Sequence, residues 1–180
     1  AMGSETAAID RTGEAEVNLV VSSVGLPVAK FLRERFGTPY VVGVLFGDTV
    51  SALLLGALQK SIHTGENEIL PAGTPDAPDT VILGESVTSR SLAAALLLDY
   101  GICAEVICPV ELPRELEGSF CRQIEDEQDL QAALSGARRV IADPLFAPIV
   151  PQGAQFFPLP HEAYSGRIYR KQIPNLVTTW

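Results

Sequence analysis

Three polar turns in this sequence each follow an apolar run and precede a helical pattern. They are SSVGLP at 22–27, FGDT at 46–49 and GESVTSR at 84–90. A helix that begins in such a turn presents unpaired backbone N–H groups, and with the helix dipole these favour an anion or a polar oxygen atom. We therefore predict that the three turns line one binding site. The alternative is that their hydroxyl groups only cap the helices.

The predicted ligand-binding residues supply hydroxyl groups, carboxylates, one guanidinium and the accessible backbone of glycine. They are Ser22, Ser23, Gly25, Gly47, Asp48, Glu85, Ser86, Thr88 and Arg90. The sequence contains neither G-x-x-x-x-G-K-[ST] nor G-x-G-x-x-G, the two common glycine motifs for nucleotides. The turns therefore give no support to nucleotide binding by the familiar routes.

One of the two histidines, His161, lies in the segment FPLPHEAYSGR at 157–167. An imidazole in such a loop is a candidate ligand for a bound group. The alternative is a ring that packs on Pro158 or Tyr164. The other histidine, His63, closes a predicted helix, where an imidazole suits the negative end of the helix dipole.

A carboxylate after a predicted strand is another candidate for chemistry. Asp143 precedes Pro144, and this pairing typically closes a turn. Acid–base catalysis at Asp143 would require a second group, for which Glu85 and Glu162 are the candidates. Nothing in the spacing demands either of them, so we assign no catalytic residue.

The three cysteines, Cys103, Cys108 and Cys121, do not form a recognised metal-binding pattern. An offset of five on one strand places Cys103 and Cys108 on opposite faces, and the spacing matches no zinc or iron–sulfur motif. We predict that they are small buried core residues. An odd number of cysteines also differs from a secreted disulfide framework and fits a reducing cytoplasm.

Composition and charge argue against two classes of partner. The 180 residues carry a net charge of −9, which the phosphates of nucleic acids would repel, so no nucleic-acid partner is expected. The longest apolar run, at 92–98, is too short to span a bilayer, and no signal-sequence pattern opens the chain. We expect a cytoplasmic protein without a membrane partner.

Apolar runs typical of buried strands alternate with helical patterns along the chain. This alternation with short connections indicates parallel βαβ units, so we predict an α/β fold of two successive Rossmann-like lobes. The first lobe is 1–63, and the second, with a C-terminal extension, is 79–180. The stretch 64–78 contains three prolines and two glycines, and we predict that it is a linker.

Two of the predicted helices are apolar on nearly every side. They cover 50–58 and 91–98. A helix of this kind must be covered on more than one face. We therefore expect extensive contact with another domain or subunit.

The order of these motifs resembles the nitrogenase component 1 family of oxidoreductases. That family has an asparagine before an apolar strand, a ligand loop, a helix, Gly-x-Pro-Tyr/Trp, a second strand, Phe-Gly and a threonine-bearing helix. The corresponding residues here are Asn18, GTPY at 37–40, FG at 46–47 and Thr49. The segment 79–107 is similar to the next unit of the family. The resemblance covers about 15–60 and 79–170.

The resemblance implies the C-terminal portion of a larger subunit. It implies a paired component 1-type subunit in a homo- or hetero-oligomer, and an ATP-driven iron–sulfur reductase as electron donor. The full-length protein would then use an iron–sulfur or related metallocluster, or take a tetrapyrrole substrate, and we expect no cofactor in this chain alone.

Two positions carry the family's cofactor anchors. The place of the anchoring cysteine holds Ser22 or Ser23, and a hydroxyl is a poorer iron ligand than a thiolate. The second anchor is a histidine in His-x-x-x-Tyr-Ser-Gly. HEAYSG at 161–166 is one residue shorter, and the resemblance implies that His161 is a metal ligand.

Two other functions are compatible with the sequence. One is a noncatalytic Rossmann-like module that binds a small anion, since a fold does not determine a function. The other is a scaffold that only makes subunit contacts, for which the apolar helices are the supporting feature.

Overall fold

The computed structural model describes residues 6–71, 78–169, 171 and 173–177. Within them, parallel strands in two sheets alternate with helices, which confirms the predicted α/β, Rossmann-like fold. The strands are β1 (Asn18–Val20), β2 (Tyr40–Val42), β3 (Glu68–Ile69), β4 (Thr80–Leu83), β5 (Ala104–Cys108), β6 (Cys121–Gln123), β7 (Arg139–Ala142) and β8 (Gln155–Pro158). The helices are α1 (Thr6–Asp10), α2 (Leu26–Phe36), α3 (Gly47–Thr64), α4 (Ser86–Tyr100), α5 (Glu127–Leu134) and α6 (Gly166–Tyr169). No helix among these residues is long and apolar enough to cross a membrane.

The first sheet has the order β1-β2-β3, and all its strands are parallel. Strand β3 lies inside the stretch predicted to be a linker, of which 72–77 lie outside the described residues. Its two residues are too few to show a strand period, and pairing with β2 is what fixes them. The Asn67 side chain supports this pairing, because its carbonyl oxygen accepts the Tyr40 N–H at 3.1 Å.

The second sheet has the order β6-β5-β4-β7-β8, again with every pairing parallel. The chain moves outward from β4 to one edge and then returns to the other side of β4. The topological switch point therefore lies between β4 and β7, where sheets of this kind bind ligands beyond their carboxyl ends. Strand β6 is not predicted, because the three residues CRQ carry no strand pattern of their own.

Helix α4 lies in the core that the two lobes share. Its residues 92–95 are all buried, and their core cluster also contains residues of the first lobe, such as Val41 and Leu54. The expected cover of this apolar helix is thus supplied by the first lobe of the same chain, with α3 packed against α4. Helix α3 differs, because Leu53, Leu55 and Ile62 on it stay exposed.

Candidate functional site

The Glu85 carboxylate joins the turn after β4 to the turn after β1. One oxygen, Oε1, accepts the backbone N–H of Ser23 at 2.7 Å, and Oε2 accepts the N–H of Thr88 at 2.9 Å. The Ser86 hydroxyl lies 3.4 Å from Oε1. Glu85 therefore caps α4 and at the same time binds the start of the short 3-10 helix that leads into α2. Two of the three predicted turns do meet, through a carboxylate that closes the space between them.

The environment of Glu85 stabilises its charged form. The residue is only 3% exposed, and this burial favours the neutral acid. The N–H groups of Ser23, Thr88 and Val87 outweigh burial, and they hold the pKa of Glu85 below its ordinary value. A buried ionised carboxylate is thus balanced by donors from both lobes, as such a group requires.

Asp143 performs a similar task at the end of β7. Its Oδ1 accepts the N–H of Leu145 at 3.0 Å. Its Oδ2 accepts the N–H of His161 at 2.9 Å, the hydroxyl of Ser165 at 2.7 Å and the N–H of Ser165 at 3.3 Å. Burial favours the neutral acid, but these donors together hold the pKa of Asp143 below its ordinary value. Asp143 closes a turn, as predicted, and also binds the C-terminal loop, which we define as 159–166.

Both ring nitrogens of His161 are engaged in hydrogen bonds. Nδ1 accepts the backbone N–H of Ala163 at 3.1 Å, so the proton of the neutral ring lies on Nε2. Nε2 is 3.2 Å from the Thr88 hydroxyl and donates to it. Neither nitrogen has a free lone pair in this arrangement. Metal ligation by His161 remains a prediction, and it would require the Ala163 contact to break.

The C-terminal loop lies across the switch point between β4 and β7. A cavity of about 20 Å³, the switch-point cavity, remains beneath it. The polar residues around this cavity are Glu85, Thr88, Ser89, Asp143, His161 and Tyr164. The Tyr164 hydroxyl is buried and has no hydrogen-bond partner among the described residues. The position where a Rossmann-like sheet takes its ligand is thus filled by the protein's own loop.

A larger cleft opens between the two lobes at the carboxyl ends of β1 and β5. This interlobe cleft has a volume of about 360 Å³. It is lined by Ser23, Val24, Leu26, Pro27, Lys30, Val110, Glu111, Pro113 and Glu115. Most of the wall is apolar, while at the edge the Lys30 amino group pairs with the Glu115 carboxylate. Ser23 is the one predicted site residue that lines the cleft.

The remaining predicted site residues lie around the junction without lining the cleft. Ser22 is half-buried and its carbonyl accepts the N–H of Gly25 at 2.9 Å. Gly47 has φ of 54° and donates its N–H to the Leu176 carbonyl at 3.0 Å, so the C-terminal segment meets the start of α3. Asp48 is exposed in the first turn of that helix. The third turn, 46–49, therefore contacts the C-terminal segment.

Arg90 is directed to the connection between β5 and β6. Its Nη1 donates to the Leu116 carbonyl at 2.9 Å, and the half-buried side chain does not line the interlobe cleft. The residue that does bring a positive charge to the cleft is Lys30. Sequence reasoning did not select Lys30, because only the docking of the lobes places α2 against residues 110–115.

The C-terminal loop holds two further residues that sequence reasoning missed as site residues. Ser165 binds Asp143 through its hydroxyl. Tyr164 packs edge-on against Phe146, with ring centroids 5.2 Å apart. The Asp-Pro turn at 143–144 was the available signal, because a buried carboxylate after a strand needs donors from somewhere. The sequence did not show that these donors lie 18 to 22 residues away.

Comparison with known proteins found no matching family model, no matching curated protein and no matching solved structure. Three features make up the candidate site: a closed junction at Glu85, a loop bound by Asp143 over the switch point, and an open cleft between the lobes.

Proposed function

We propose that this chain supplies a substrate-lining wall of a nitrogenase component 1-like oxidoreductase, and that the interlobe cleft receives a tetrapyrrole-class substrate. The observation that carries the proposal is the cleft itself. Its volume of about 360 Å³ lies within the roughly 300–1,000 Å³ of small-molecule sites, which are also mostly apolar. The cleft lies beyond the carboxyl ends of β1 and β5, the end of a parallel sheet at which ligands bind, and it stays open while the C-terminal loop covers the switch point.

The residues present do not fit a metallocluster that this chain ligates. The position of the family's anchoring thiolate holds Ser22 and Ser23, and hydroxyls are poor ligands for iron. The backbone of Ser23 is fixed by Glu85, and both nitrogens of His161 are in hydrogen bonds. We therefore derive no step through such a cluster and favour the tetrapyrrole among the two ligand classes that the resemblance implies.

The chain's own residues would bind and orient the substrate. Val24, Leu26 and Pro27 on one lobe, with Val110 and Pro113 on the other, offer apolar surface to a conjugated ring and exclude water from its faces. The Lys30 amino group would exchange its Glu115 partner for a carboxylate on the ring edge. Electrons would come from the ATP-driven reductase, which acts on the assembled protein.

A binding titration tests this proposal. We expect protoporphyrin IX added to the chain to show saturable binding with a shift of its main absorption band. Lys30→Met should weaken binding about fivefold, because an exposed charge pair contributes about 1 kcal/mol. Lys60→Met is the matched control, because Lys60 pairs with Glu68 on the surface and does not line the cleft. Absence of saturable binding, or equal effects of both variants, would contradict the proposal. Thermal stabilisation by phosphate or citrate alone would favour the small-anion module.

Subunit contact is a second candidate function, and exposed apolar residues at the start of α2 favour it. Val28 and Phe31 are 60% and 59% exposed, and their i, i+3 spacing places them on one side of α2. Val24, in the short 3-10 helix before α2, is 83% exposed. Contiguous apolar surface of this kind marks interaction sites. The partner we propose is the paired component 1-type subunit.

A size measurement tests the contact surface. We expect the purified chain to self-associate as its concentration rises, in sedimentation velocity, because a paired subunit of the same family and a second copy offer similar surfaces. Phe31→Asp should shift this association at least tenfold to higher concentration. Leu145→Asp is the control, because Leu145 is 55% exposed and lies at 144–149, outside α2. If the wild type and Phe31→Asp are both monomeric at every concentration, the support for this function is lost.

A further inference from the structure

Two buried thiols lie on neighbouring strands of the second sheet. Cys108 ends β5 and Cys121 begins β6, and their sulfur atoms are 4.0 Å apart. They are 0% and 1% exposed, respectively. The register pairs Val106 with Cys121, so the two cysteines are offset by two residues and their side chains lie on the same face of the sheet. The prediction that the cysteines are buried core residues is confirmed for Cys108 and Cys121 and is wrong for Cys103, which precedes β5 and is half-buried.

The offset does not suit a disulfide bond. Neighbouring strands are about 4.8 Å apart and rise about 3.3 Å per residue, which gives a Cα–Cα distance of about 8 Å for this offset. A disulfide cannot bridge more than about 7 Å without movement of the backbone. The strands hold the sulfur atoms close to each other but keep the backbones too far apart for an S–S bond.

We propose that Cys108 and Cys121 form a two-thiolate site for a soft monovalent ion of the Cu(I) class. A thiolate sulfur lies about 2.3 Å from a bound d¹⁰ ion, so two sulfurs that share one ion lie up to about 4.6 Å apart. The observed 4.0 Å falls within that span. Thiolates are soft ligands that favour soft ions such as Cu(I) and zinc. A structural zinc site takes four ligands, so two thiolates alone suit Cu(I) better. In the part of the chain that the structure describes, no group of three or more His, Cys, Asp and Glu residues is placed to hold an ion.

The groups around the pair act in opposite directions on thiolate formation, so the proposal depends on the sulfur–sulfur geometry. Two thiols bind one Cu(I), two protons are released to solvent, and the complex carries one negative charge. The hydrogen bond from Cys108 lowers the pKa of Cys121, which the Arg90 guanidinium also favours, and the same bond with burial raises the pKa of Cys108. Arg90 is held in place by the Leu116 carbonyl. The Glu85 carboxylate raises the pKa of both thiols. The Tyr164 hydroxyl interacts electrostatically with Cys108.

A competition experiment with Cu(I) tests the site. Under anaerobic conditions, the chain and a chromophoric Cu(I) chelator compete for the metal. We expect the wild type and Cys103→Ser each to retain one Cu(I) per chain, because Cys103 is not part of the pair. Cys108→Ser and Cys121→Ser should each weaken binding at least 100-fold. Because binding releases two protons, affinity should rise up to about 100-fold per pH unit.

A measurement on the wild type separates loss of a ligand from loss of the fold. X-ray absorption of the Cu(I)-loaded chain should show two sulfur neighbours. A shell of nitrogen or oxygen atoms, or full Cu(I) retention by Cys108→Ser, would overturn the proposal. So would failure of the wild type to hold Cu(I) against the chelator at any pH at which it stays folded.

Discussion

Replacement of Glu85 by alanine is expected to lower the free energy of unfolding by about 2–5 kcal/mol. The truncation leaves the N–H groups of Ser23 and Thr88 buried without an acceptor, and each such group costs about 1–3 kcal/mol. Because Ser23 lies in the first lobe and Thr88 in the second, the variant also loses a link between them. Urea denaturation followed by circular dichroism and by an independent probe of each lobe would measure both effects.

Two variants calibrate this result. Glu85→Gln keeps one carbonyl oxygen as an acceptor and should cost less than alanine. Asp126→Ala removes an exposed cap that accepts the N–H groups of Gln128 and Asp129, and caps of this type contribute about 1 kcal/mol. If Glu85→Ala costs no more than Asp126→Ala, Glu85 is only a helix cap and the junction has another origin.

Replacement of Asp143 by asparagine is expected to release the C-terminal loop at a cost of about 3–5 kcal/mol. The substitution removes the negative charge, and the NH₂ of asparagine meets a donor whichever way the amide faces. In place of Oδ1 it meets the Leu145 N–H, and in place of Oδ2 it meets the donors of His161 and Ser165. Each hydrogen bond to a buried charged group contributes about 1.5–3 kcal/mol. Hydrogen exchange should show faster exchange at the amides of His161 and Ser165, and trypsin should cleave sooner after Arg167.

Asp143→Asn should also change how the free energy of unfolding depends on pH in the acid range. The pKa of Asp143 is lower in the native state than its ordinary value, so its stabilisation is fully present above an unfolded-state pKa of about 3.9. It is lost as the pH falls through the lower native-state pKa, because the unfolded state then binds more protons. The wild type should therefore lose stability below about pH 4 more steeply than Asp143→Asn. Glu85 contributes a loss of the same sign in both proteins.

Asp48→Asn serves as the control for both readouts. Asp48 is exposed in the first turn of α3, and its substitution should change stability by no more than about 0.5 kcal/mol. Unchanged exchange at His161 in Asp143→Asn, or identical acid profiles for Asp143→Asn and the wild type, would show that the carboxylate does not hold the loop.

The apolar pattern was sufficient to predict the alternation of strands and helices. The run in β4 has no charged residue, and all four residues, Thr80–Leu83, are buried. A strand of this kind must be covered by other elements on both faces of the sheet. The apolar pattern could not predict the shortest strands. β3 and β6 have two and three residues, and each exists because a neighbouring strand offers an unpaired edge.

The position of the predicted site was partly accessible from the sequence. Parallel strands bring their turns to the carboxyl edge of their own sheet. Ser23 follows β1 in the first sheet and Glu85 follows β4 in the second, so it is the docking of the lobes that places Ser23 against Glu85. The sequence did not show which group accepts the free N–H groups of these turns. The acceptor is the buried carboxylate of Glu85, which binds the N–H groups of Ser23 in the first lobe and Thr88 in the second. His161 shows the same limit. Its ring faces the predicted turn through Thr88, but the Ala163 N–H that occupies Nδ1 is set by the local fold of the loop.

The exchange of two backbone amides tests the shared junction most directly. Thr88 is three residues from Glu85, whereas Ser23 is 62 residues away and belongs to the other lobe. We predict that both amides are strongly protected from hydrogen exchange in the wild type and that both lose protection in Glu85→Ala. A Ser23 amide that exchanges rapidly in the wild type, or one that Glu85→Ala leaves unchanged while Thr88 is affected, would contradict a carboxylate that holds the lobes together.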